Sequence, residues 1–250
     1  MIKNTKIAIV LPAYNAEKTL YQTLFEIPYE YVDFLVLVDD KSKDNTVKLA
    51  KDIREEGILF KNKENFFIIE LSKNLGYGGN QKACYDKALT IGADIIIMLH
   101  PDYQYNPKAI TDFLCSFDEN KSDVVLGSRI RNKKESISGG MPMYKYYSNR
   151  FLSLVQNFIT GEKLSEWHTG MRAYKKEVLL SIDYNRFSND FIFDTEMLLA
   201  IVNKKYKINE VQVPVKYFKE ASSINFKRSM KYGFLTLFYT LKYGFVKNKD

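Results

Sequence analysis

Five short polar segments of the sequence contain residue types that bind phosphates, metal ions or nucleosides. Each directly follows a run of apolar residues, and together they cover residues 12–15, 39–44, 74–80, 100–104 and 127–129. A carboxylate or an imidazole can hold a divalent ion, and a forked guanidinium can neutralise a phosphate. Asp102 can therefore hold Mg²⁺ or Mn²⁺ between two phosphates, although an ordinary Pro-Asp turn would explain this residue equally well.

Two more of these segments suit a nucleotide. Asp39 and Asp40 end an apolar run, where carboxylates can contact the ring nitrogens or the hydroxyls of a nucleoside. The glycine-rich segment 74–80 can offer backbone amides to a phosphate. It lacks both the Lys-Ser/Thr pair of a P-loop and the G-x-G-x-x-G spacing of a dinucleotide site, which excludes these two classes of nucleotide-binding protein.

The apolar runs predict strands, and the stretches between them predict helices. Strands are expected at 6–11, 34–38, 65–71, 94–99, 123–126 and 209–217, and helices at 16–27, 46–56, 74–88, 143–159, 191–202 and 226–245. Alternation of apolar strands with helices favours an α/β fold, in which a mainly parallel sheet carries helices on both faces. Because the carboxyl ends of parallel strands meet at one edge, the five polar segments are expected to converge there.

Composition excludes several classes of protein. The chain has 250 residues, of which 46% are hydrophobic and 27% are charged, as is typical of a folded globular protein. Its two cysteines and two histidines exclude a disulfide framework and argue against a four-ligand zinc site. No apolar run reaches the roughly 18 residues of a membrane span, and residues 1–6 do not resemble a secretion signal. We therefore expect a cytoplasmic protein.

Positive charge is concentrated at the carboxyl end. The net charge is +7, and residues 216–250 contain eight basic and two acidic residues, so the rest of the chain is nearly neutral. This distribution argues against a nucleic-acid groove across the protein. Residues 226–250 predict a basic amphipathic helix, and two locations suit it equally. It lies either on the inner face of an anionic membrane, as a peripheral contact, or against the domain or a homodimer partner.

Taken together, the polar segments resemble glycosyltransferase family 2. The stretches that carry this resemblance are Pro-Ala-Tyr-Asn at 12–15, Val-Asp-Asp-Lys-Ser-Lys-Asp-Asn-Thr at 38–46, Asn-x-Gly-x-Gly at 74–78 and Pro-Asp-Tyr-Gln at 101–104. Others are similar to its dolichol-phosphate mannose synthase and polyprenyl-phosphate sugar transferase branch, namely Gly-Ser-Arg at 127–129, Gly-Gly at 139–140, Thr-Gly-Met-Arg at 169–172 and Glu-Val-x-Val-Pro at 210–214. The resemblance spans about residues 6–225.

This resemblance implies a single-domain glycosyltransferase A-type fold, also called a nucleotide-diphospho-sugar transferase fold. The catalytic domain would cover 1–225, with a nucleotide-binding half at about 1–130 and an acceptor half at about 131–225, and the basic helix would follow at 226–250. The implied reaction is an inverting transfer of a sugar from a UDP- or GDP-sugar. Its implied acceptor is a polyprenyl phosphate used in cell-surface glycan synthesis.

The resemblance also implies roles for individual residues. The implied donor contacts are Pro12, Ala13, Tyr14, Asn15, Asp39, Asp40, Gly76, Gly78 and Gln104. Asp102 would be the second acid of the Asp-x-Asp metal motif, and Arg129 and Arg172 would pair with phosphates of the leaving group. Where that branch carries a serine on a closing loop, this chain has Ser222 and Ser223.

The sequence departs from the family pattern at two positions. His100 stands where the first acid of Asp-x-Asp is expected, and Ala16 stands where a glutamate often follows Tyr-Asn. Imidazole ligates Mn²⁺ but is a poor ligand for Mg²⁺. The expected cofactor is therefore Mn²⁺ or Mg²⁺ held by His100 and Asp102, with Mn²⁺ favoured by the imidazole.

The acceptor distinguishes the remaining hypotheses. A lipid phosphate is already an anionic nucleophile and needs docking groups, for which Arg150 and Ser153 are candidates. A glycan hydroxyl would instead need a base, for which Asp194 or Glu196 is a candidate, although a helix cap or a surface carboxylate would explain both. His168 is either a catalyst or a hydrogen-bonding loop residue. A third hypothesis is a nucleotide-sugar-binding protein whose catalysis is weak because the first metal acid is missing.

Overall fold

The computed structural model describes residues 5–60, 62–217 and 226–244, and within the last range the side chains of 229–243. The serines predicted on a closing loop, Ser222 and Ser223, lie outside these ranges. The strands are β1 (Ile7–Ala13), β2 (Phe34–Asp39), β3 (Phe66–Glu70), β4 (Ile95–Met98), β5 (Val124–Ser128), β6 (Arg172–Lys175) and β7 (Ile208–Gln212). They form one sheet in the order β3-β2-β1-β4-β6-β5-β7.

Helices connect these strands. The α-helices in the described ranges are α1 (Leu20–Phe25), α2 (Thr46–Glu56), α3 (Gly76–Thr90), α4 (Ile110–Glu119), α5 (Lys133–Ser138), α6 (Met143–Thr160), α7 (Lys176–Leu180), α8 (Phe193–Asn203) and α9 (Phe226–Gly244). Single turns of 3₁₀-helix occur at Tyr29–Tyr31, Lys63–Asn65, Pro107–Ala109 and Tyr184–Arg186. None of the helices in the described ranges has both the length and the apolar character of a membrane span.

Both faces of the sheet are covered by helices. Because successive side chains of a strand point to opposite faces, Ile9 and Leu11 of β1 belong to one buried cluster, and Ala8 and Val10 belong to another. The first cluster includes apolar residues of α1, α2 and α4, and the second includes those of α3, α7 and α8. This arrangement confirms the predicted α/β fold.

The sheet is mixed because of one strand that apolar periodicity does not predict. Strand β6 has the sequence Arg-Ala-Tyr-Lys, in which charged residues flank only two apolar ones. It pairs antiparallel with both β4 and β5, whereas β1 pairs parallel with β2 and β4, β2 with β3, and β5 with β7. The carboxyl ends of β1, β2, β4 and β5 therefore still lie at one edge. The strand expected at 209–217 is shorter and ends at Gln212.

Helix α9 packs against α6 and α8. Thr236 and Thr240 are fully buried on its inner face. At Gly233 the helices are so close that an added Cβ would lie 3.9 Å from a methyl group of Leu152. Of the locations suggested for this helix, packing on the domain is thus observed for one face, and contact with a membrane or with a second copy stays a prediction.

Candidate functional site

A cleft of about 1080 Å³ opens at the edge where the carboxyl ends of β1, β2, β4 and β5 lie. Each of the five polar segments contributes residues to its wall. The rest of the wall comes from α6, from the loop at 168–170, from the start of α8 and from α9. Its volume lies just above the range of pockets that bind cofactors and drug-sized ligands, about 300–1000 Å³. The structure therefore joins the predicted segments into one site.

Most of the predicted site residues line this cleft. Those in its wall are Pro12, Tyr14, Asn15, Asp40, Gly76, His100, Asp102, Gln104, Arg129 and Asp194. Those outside its wall are Ala13, Asp39, Gly78, Arg150, Ser153 and Arg172. Gly78 has a packing reason to be glycine, since an added Cβ would lie 2.5 Å from the backbone oxygen of Ser188. The donor contacts implied by the resemblance stay predictions.

The two neighbouring aspartates hold the loops beside the cleft. Asp39 accepts a hydrogen bond from the backbone amide of Ser42 at 2.9 Å. Asp40 accepts from the amides of Leu75 at 2.6 Å and Gly76 at 3.0 Å, where its charge suits the start of α3. Burial raises the pKa of the Asp40 carboxyl. Of the two, only Asp40 reaches the cleft wall, so it is the better candidate for a contact with the nucleotide base.

A chain of hydrogen bonds fixes the tautomer of His100. The Tyr77 hydroxyl donates to Oδ2 of Asp194 at 2.7 Å and lies 3.2 Å from Nε2 of His100. Burial lowers the pKa of His100, which favours the neutral ring. Because the single tyrosine proton goes to the carboxylate, Nε2 of His100 must be the donor in the second bond. Its Nδ1 is therefore unprotonated, which is the form that ligates a metal.

Asp102 and His100 together fit a divalent ion only if a substrate supplies further ligands. In the part of the chain that the structure describes, no three His, Cys, Asp or Glu side chains are grouped as a metal site. One carboxylate oxygen of Asp102 accepts from the Gln104 amide at 3.0 Å, which orients the group. Ions at nucleotide sites are commonly held by one or two carboxylates together with substrate phosphates. The two residues fit an ion of this kind.

Arg129 is held at the cleft wall by Glu166, a residue that the sequence analysis does not identify. Glu166 is fully buried and Arg129 is 8% exposed. Nε of Arg129 donates to Oε1 of Glu166 at 2.8 Å, a terminal nitrogen donates to the same oxygen, and the Arg129 amide donates to Oε2 at 2.6 Å. Further bonds reach the His168 carbonyl at 2.7 Å and the Tyr217 hydroxyl at 3.2 Å. The guanidinium is therefore fixed in one orientation.

Arg172 lies beneath the cleft and has no exposed surface. Its guanidinium donates to the carbonyl oxygens of Thr169 at 2.8 Å, Asp194 at 2.9 Å and Trp167 at 3.1 Å. It also lies 3.8 Å from Oδ2 of Asp194. These contacts correct the expected pairing of Arg172 with a phosphate, because the group is used to position the 167–169 loop and the first turn of α8.

The two residues of α6 that were expected to dock a phosphate, Arg150 and Ser153, also lie outside the cleft wall. Ser153 is buried and accepts a hydrogen bond from the Trp167 amide at 3.2 Å, and Arg150 is half-buried outside the wall. The polar residues of α6 that do line the cleft are Lys145, Ser148 and Asn149. Their spacing of three and four residues places them on one helix face, and this spacing was the signal available in the sequence.

Lys145 lies close to Arg129 at this wall. Burial, and to a smaller extent the charge of Arg129, lower the pKa of Lys145. The Lys145 ammonium lies 5.7 Å from the ring centre of Tyr217, whose hydroxyl contacts Arg129. Because Arg129 is already paired with Glu166, Lys145 is the stronger candidate at this wall for contact with an anionic ligand.

Of the two candidate bases, only Asp194 reaches the cleft. Besides the Tyr77 hydroxyl, it accepts from the Gln81 amide at 3.3 Å. Glu196 instead accepts from the backbone amide of Ser188 at 2.7 Å and so holds the loop before α8. The Asp194 carboxylate therefore already accepts one hydrogen bond on each oxygen, and a glycan hydroxyl would have to use the lone pairs that remain.

His168 connects the cleft to α9. Its Nδ1 lies 2.8 Å from the Tyr232 hydroxyl, and its Nε2 is buried without a hydrogen-bond partner. Burial, followed by the charges of Arg129 and Arg172, lowers the pKa of His168 to about 3. The ring is therefore neutral at neutral pH, which favours the role of hydrogen-bonding loop residue over that of an acid catalyst.

This low pKa predicts a loss of stability in acid. An unfolded histidine binds a proton below about pH 6.5, whereas folded His168 does so only near pH 3. Between these values the unfolded chain holds the extra proton, so the free energy of unfolding falls as pH is lowered. We expect the wild type to lose up to about 1.4 kcal/mol more per pH unit than His168→Asn between about pH 6 and pH 4, in urea melts. Parallel pH curves for the two proteins would contradict the low pKa.

Known proteins match the chain over most of its length. The family model described as Glycosyl transferase family 2 matches residues 8–182. UDP-N-acetylglucosamine–dolichyl-phosphate N-acetylglucosaminyltransferase of Methanococcus voltae is 30% identical over 241 residues, which cover 94% of each chain. Undecaprenyl-phosphate 4-deoxy-4-formamido-L-arabinose transferase of Proteus mirabilis (strain HI4320) is 26% identical over 186 residues, 71% of this chain and 51% of that protein.

Solved structures with the same fold confirm the glycosyltransferase A-type architecture. Glucosyl-3-phosphoglycerate synthase of Mycobacterium tuberculosis, in complex with Mn²⁺, UDP and glucosyl-3-phosphoglycerate, has a TM-score of 0.66 at 15% identity and covers 95% of this chain and 80% of its own. TarS 1–349 of S. aureus, in complex with UDP-GlcNAc, has a TM-score of 0.52 at 18% identity, with 93% and 66% covered. The family match and the Methanococcus voltae relative show more: this chain is an enzyme that belongs to glycosyltransferase family 2.

Proposed function

We propose that this enzyme transfers a sugar from a UDP-sugar to a polyprenyl phosphate, with inversion at the sugar carbon. The observation that carries the proposal is the composition of one cleft wall. Lys145 supplies positive charge there beside the Arg129–Glu166 ion pair, and Tyr144, Phe151 and Phe234 supply apolar surface next to it. Such a wall suits a ligand with a phosphate at one end and a hydrocarbon chain at the other.

The relatives support both substrates. The Methanococcus voltae protein is named for a UDP-sugar donor and a dolichyl phosphate, and the Proteus mirabilis protein is named for undecaprenyl phosphate. Both names agree with the branch that the sequence resembles. A polyprenyl phosphate is a membrane lipid, so we also propose that the enzyme works as a peripheral protein at the inner face of a membrane.

Charge determines the proposed chemistry. An oxygen of the acceptor phosphate forms the new bond to the sugar carbon, and the bond to the diphosphate breaks with its electron pair leaving on the nucleotide. A divalent ion, if bound by Asp102 and His100, would help to neutralise that leaving group, and His100 would favour Mn²⁺ over Mg²⁺. Lys145 holds the acceptor phosphate, and Arg129, fixed by Glu166 at the same wall, keeps its expected place near the phosphates of the leaving group. The acceptor is already anionic and carries no proton that a base must remove.

Assays of transfer and of donor binding would distinguish two other functions from this one. A glycan hydroxyl as acceptor would depend on Asp194, the candidate base in the cleft wall. A protein that only binds the nucleotide sugar would show donor binding without turnover. The cationic wall favours the lipid phosphate over both, since neither of the others needs a second anion site beside the donor.

Lys145→Ala tests the proposed acceptor site. Loss of a charge-assisted hydrogen bond costs about 1.5–3 kcal/mol, so we expect the KM for a short-chain polyprenyl phosphate to rise roughly ten- to a hundredfold. The Kd of the UDP-sugar should change less than about twofold, because the proposed donor contacts follow β1, β2 and β4 and Lys145 lies on α6. Arg150→Ala is the matched control, since this cation of the same helix lies outside the cleft wall. An unchanged acceptor KM in Lys145→Ala would contradict this site.

A further inference from the structure

Exposed apolar side chains are concentrated on two adjacent helices. Among the described residues, eleven of the sixteen large exposed hydrophobic side chains belong to α6 and α9, which pack against each other. Representative members are Phe151, Leu154, Phe158, Phe234, Phe238 and Leu241. Phe158 is 89% exposed and Phe234 is 70% exposed. Water-soluble monomers rarely show so much contiguous apolar surface without a binding partner.

Both helices bury polar side chains while they expose large apolar ones. Exposed large apolar residues recur every three or four positions over 144–158 of α6 and 230–241 of α9, which makes one stripe along each helix. On α9 the buried residues are the polar Thr236 and Thr240, and on α6 the polar Ser153 and Gln156 are buried together with Tyr146 and Leu152. Burial of polar groups with exposure of aromatic ones is unfavourable in water, so these stripes indicate an apolar partner.

Charge identifies the partner as anionic. The sequences of α6 and α9 contain six lysine or arginine residues and no aspartate or glutamate. Lys231 and Lys242 are exposed beside the apolar stripe of α9. A second copy of this chain, docked through the same surface by a twofold axis, would bring like charges together. An anionic bilayer offers both the apolar interior and the negative head groups.

We propose that α6 and α9 form one surface that lies on an anionic bilayer, with α6 contributing as much of the contact as the basic carboxyl-terminal helix. Their aromatic side chains would insert at the level of the lipid head groups, and their basic side chains would contact anionic lipids. This surface is wider than the single amphipathic helix expected from the sequence.

The same surface borders the cleft. Tyr144, Phe151, Met230 and Phe234 are at least half exposed and also line the cleft wall. A lipid phosphate in the bilayer would thus meet the cleft at the side where Lys145 lies. This last step rests on the proposed function, whereas the bilayer contact itself does not.

Vesicle co-sedimentation of the full chain tests the surface without any substrate. We expect binding to vesicles of phosphatidylglycerol with phosphatidylcholine and little binding to phosphatidylcholine alone. A Phe158→Asp/Phe238→Asp double variant should lower the partition coefficient on the order of tenfold or more, and Lys231→Ala about fivefold. The matched control is Phe25→Asp on α1, where the ring is 63% exposed but lies far along the chain from both helices. Circular dichroism melts confirm that each variant folds.

Three results would overturn the proposal. The first is that the wild type does not bind anionic vesicles. The second is that the double variant and Phe25→Asp lose binding to the same extent. The third is that the wild type is a dimer and the double variant is a monomer. The last result would assign the surface to a second copy. Transfer to a water-soluble, short-chain acceptor should persist in the double variant. Absence of that transfer in the wild type would count against the proposed function alone.

Discussion

Asp102→Ala is expected to lower sugar transfer by roughly a thousandfold, a larger loss of activity than we expect for any other single substitution of this enzyme. Asp102 is the one carboxylate of the 100–104 segment, it lines the cleft, and its orientation is fixed by the Gln104 amide. Without Asp102, His100 would be the only predicted protein ligand left for the ion. The leaving diphosphate would then lose most of its neutralising charge.

The measurement is single-turnover transfer with a panel of UDP- and GDP-sugars, in the presence of Mn²⁺ or Mg²⁺. Asp112→Ala is the matched control, because this aspartate lies on α4 and outside the cleft wall. Calorimetry of Mn²⁺ in the presence of UDP provides a second readout that does not depend on turnover. Transfer within tenfold of the wild type in Asp102→Ala would show that the diphosphate is neutralised by other groups.

Glu166→Ala is expected to destabilise the fold by about 3–5 kcal/mol, because it leaves the buried charge of Arg129 without its partner. The loss is large because Glu166 is fully buried and accepts three hydrogen bonds from Arg129 alone. In a chain of this size, such a change lowers Tm by roughly 10 °C. Urea melts and calorimetry measure both quantities.

An Arg129→Met/Glu166→Met double variant separates stability from function. Replacement of both members of a buried ion pair by apolar residues is often neutral or stabilising, so most of the lost stability should return. Transfer should not return, because the cation at the cleft wall is gone. Glu70→Ala is the control variant. The ion pair of Glu70 with Lys51 is half exposed, so it contributes less than about 1 kcal/mol to the free energy of unfolding. A double variant no more stable than Glu166→Ala would contradict this account of the pair.

The sequence alone determined most of the strands of the sheet and which polar segments come after them, although it missed β6 and placed the end of β7 too late. Apolar runs long enough to be buried on both faces predict parallel strands, and the polar segments after them must meet at one edge. The helix predicted at 46–56 has these bounds in the structure, because Gly57 takes a left-handed conformation (φ +63°) directly after it. Family membership was also accessible, since the polar motifs keep their order and spacing over most of the chain.

Tertiary structure alone decided which of these residues face the cleft. Asp40 lines it and Asp39 does not, and on α6 Lys145 lines it and Arg150 does not. These differences depend on the twist of the strands and the rotation of the helices about their axes, which the spacing of residues in the sequence does not specify.

The sequence also did not predict which distant parts of the chain contact each other. The Arg129–Glu166 pair joins residues 37 apart, and the Tyr77–Asp194 bond joins residues 117 apart. Periodicity reports which face of an element is buried, but it does not report which distant residue meets a polar group there. The sequence therefore determined where the site would form, and the packing of distant elements decided which charges remain available for substrate.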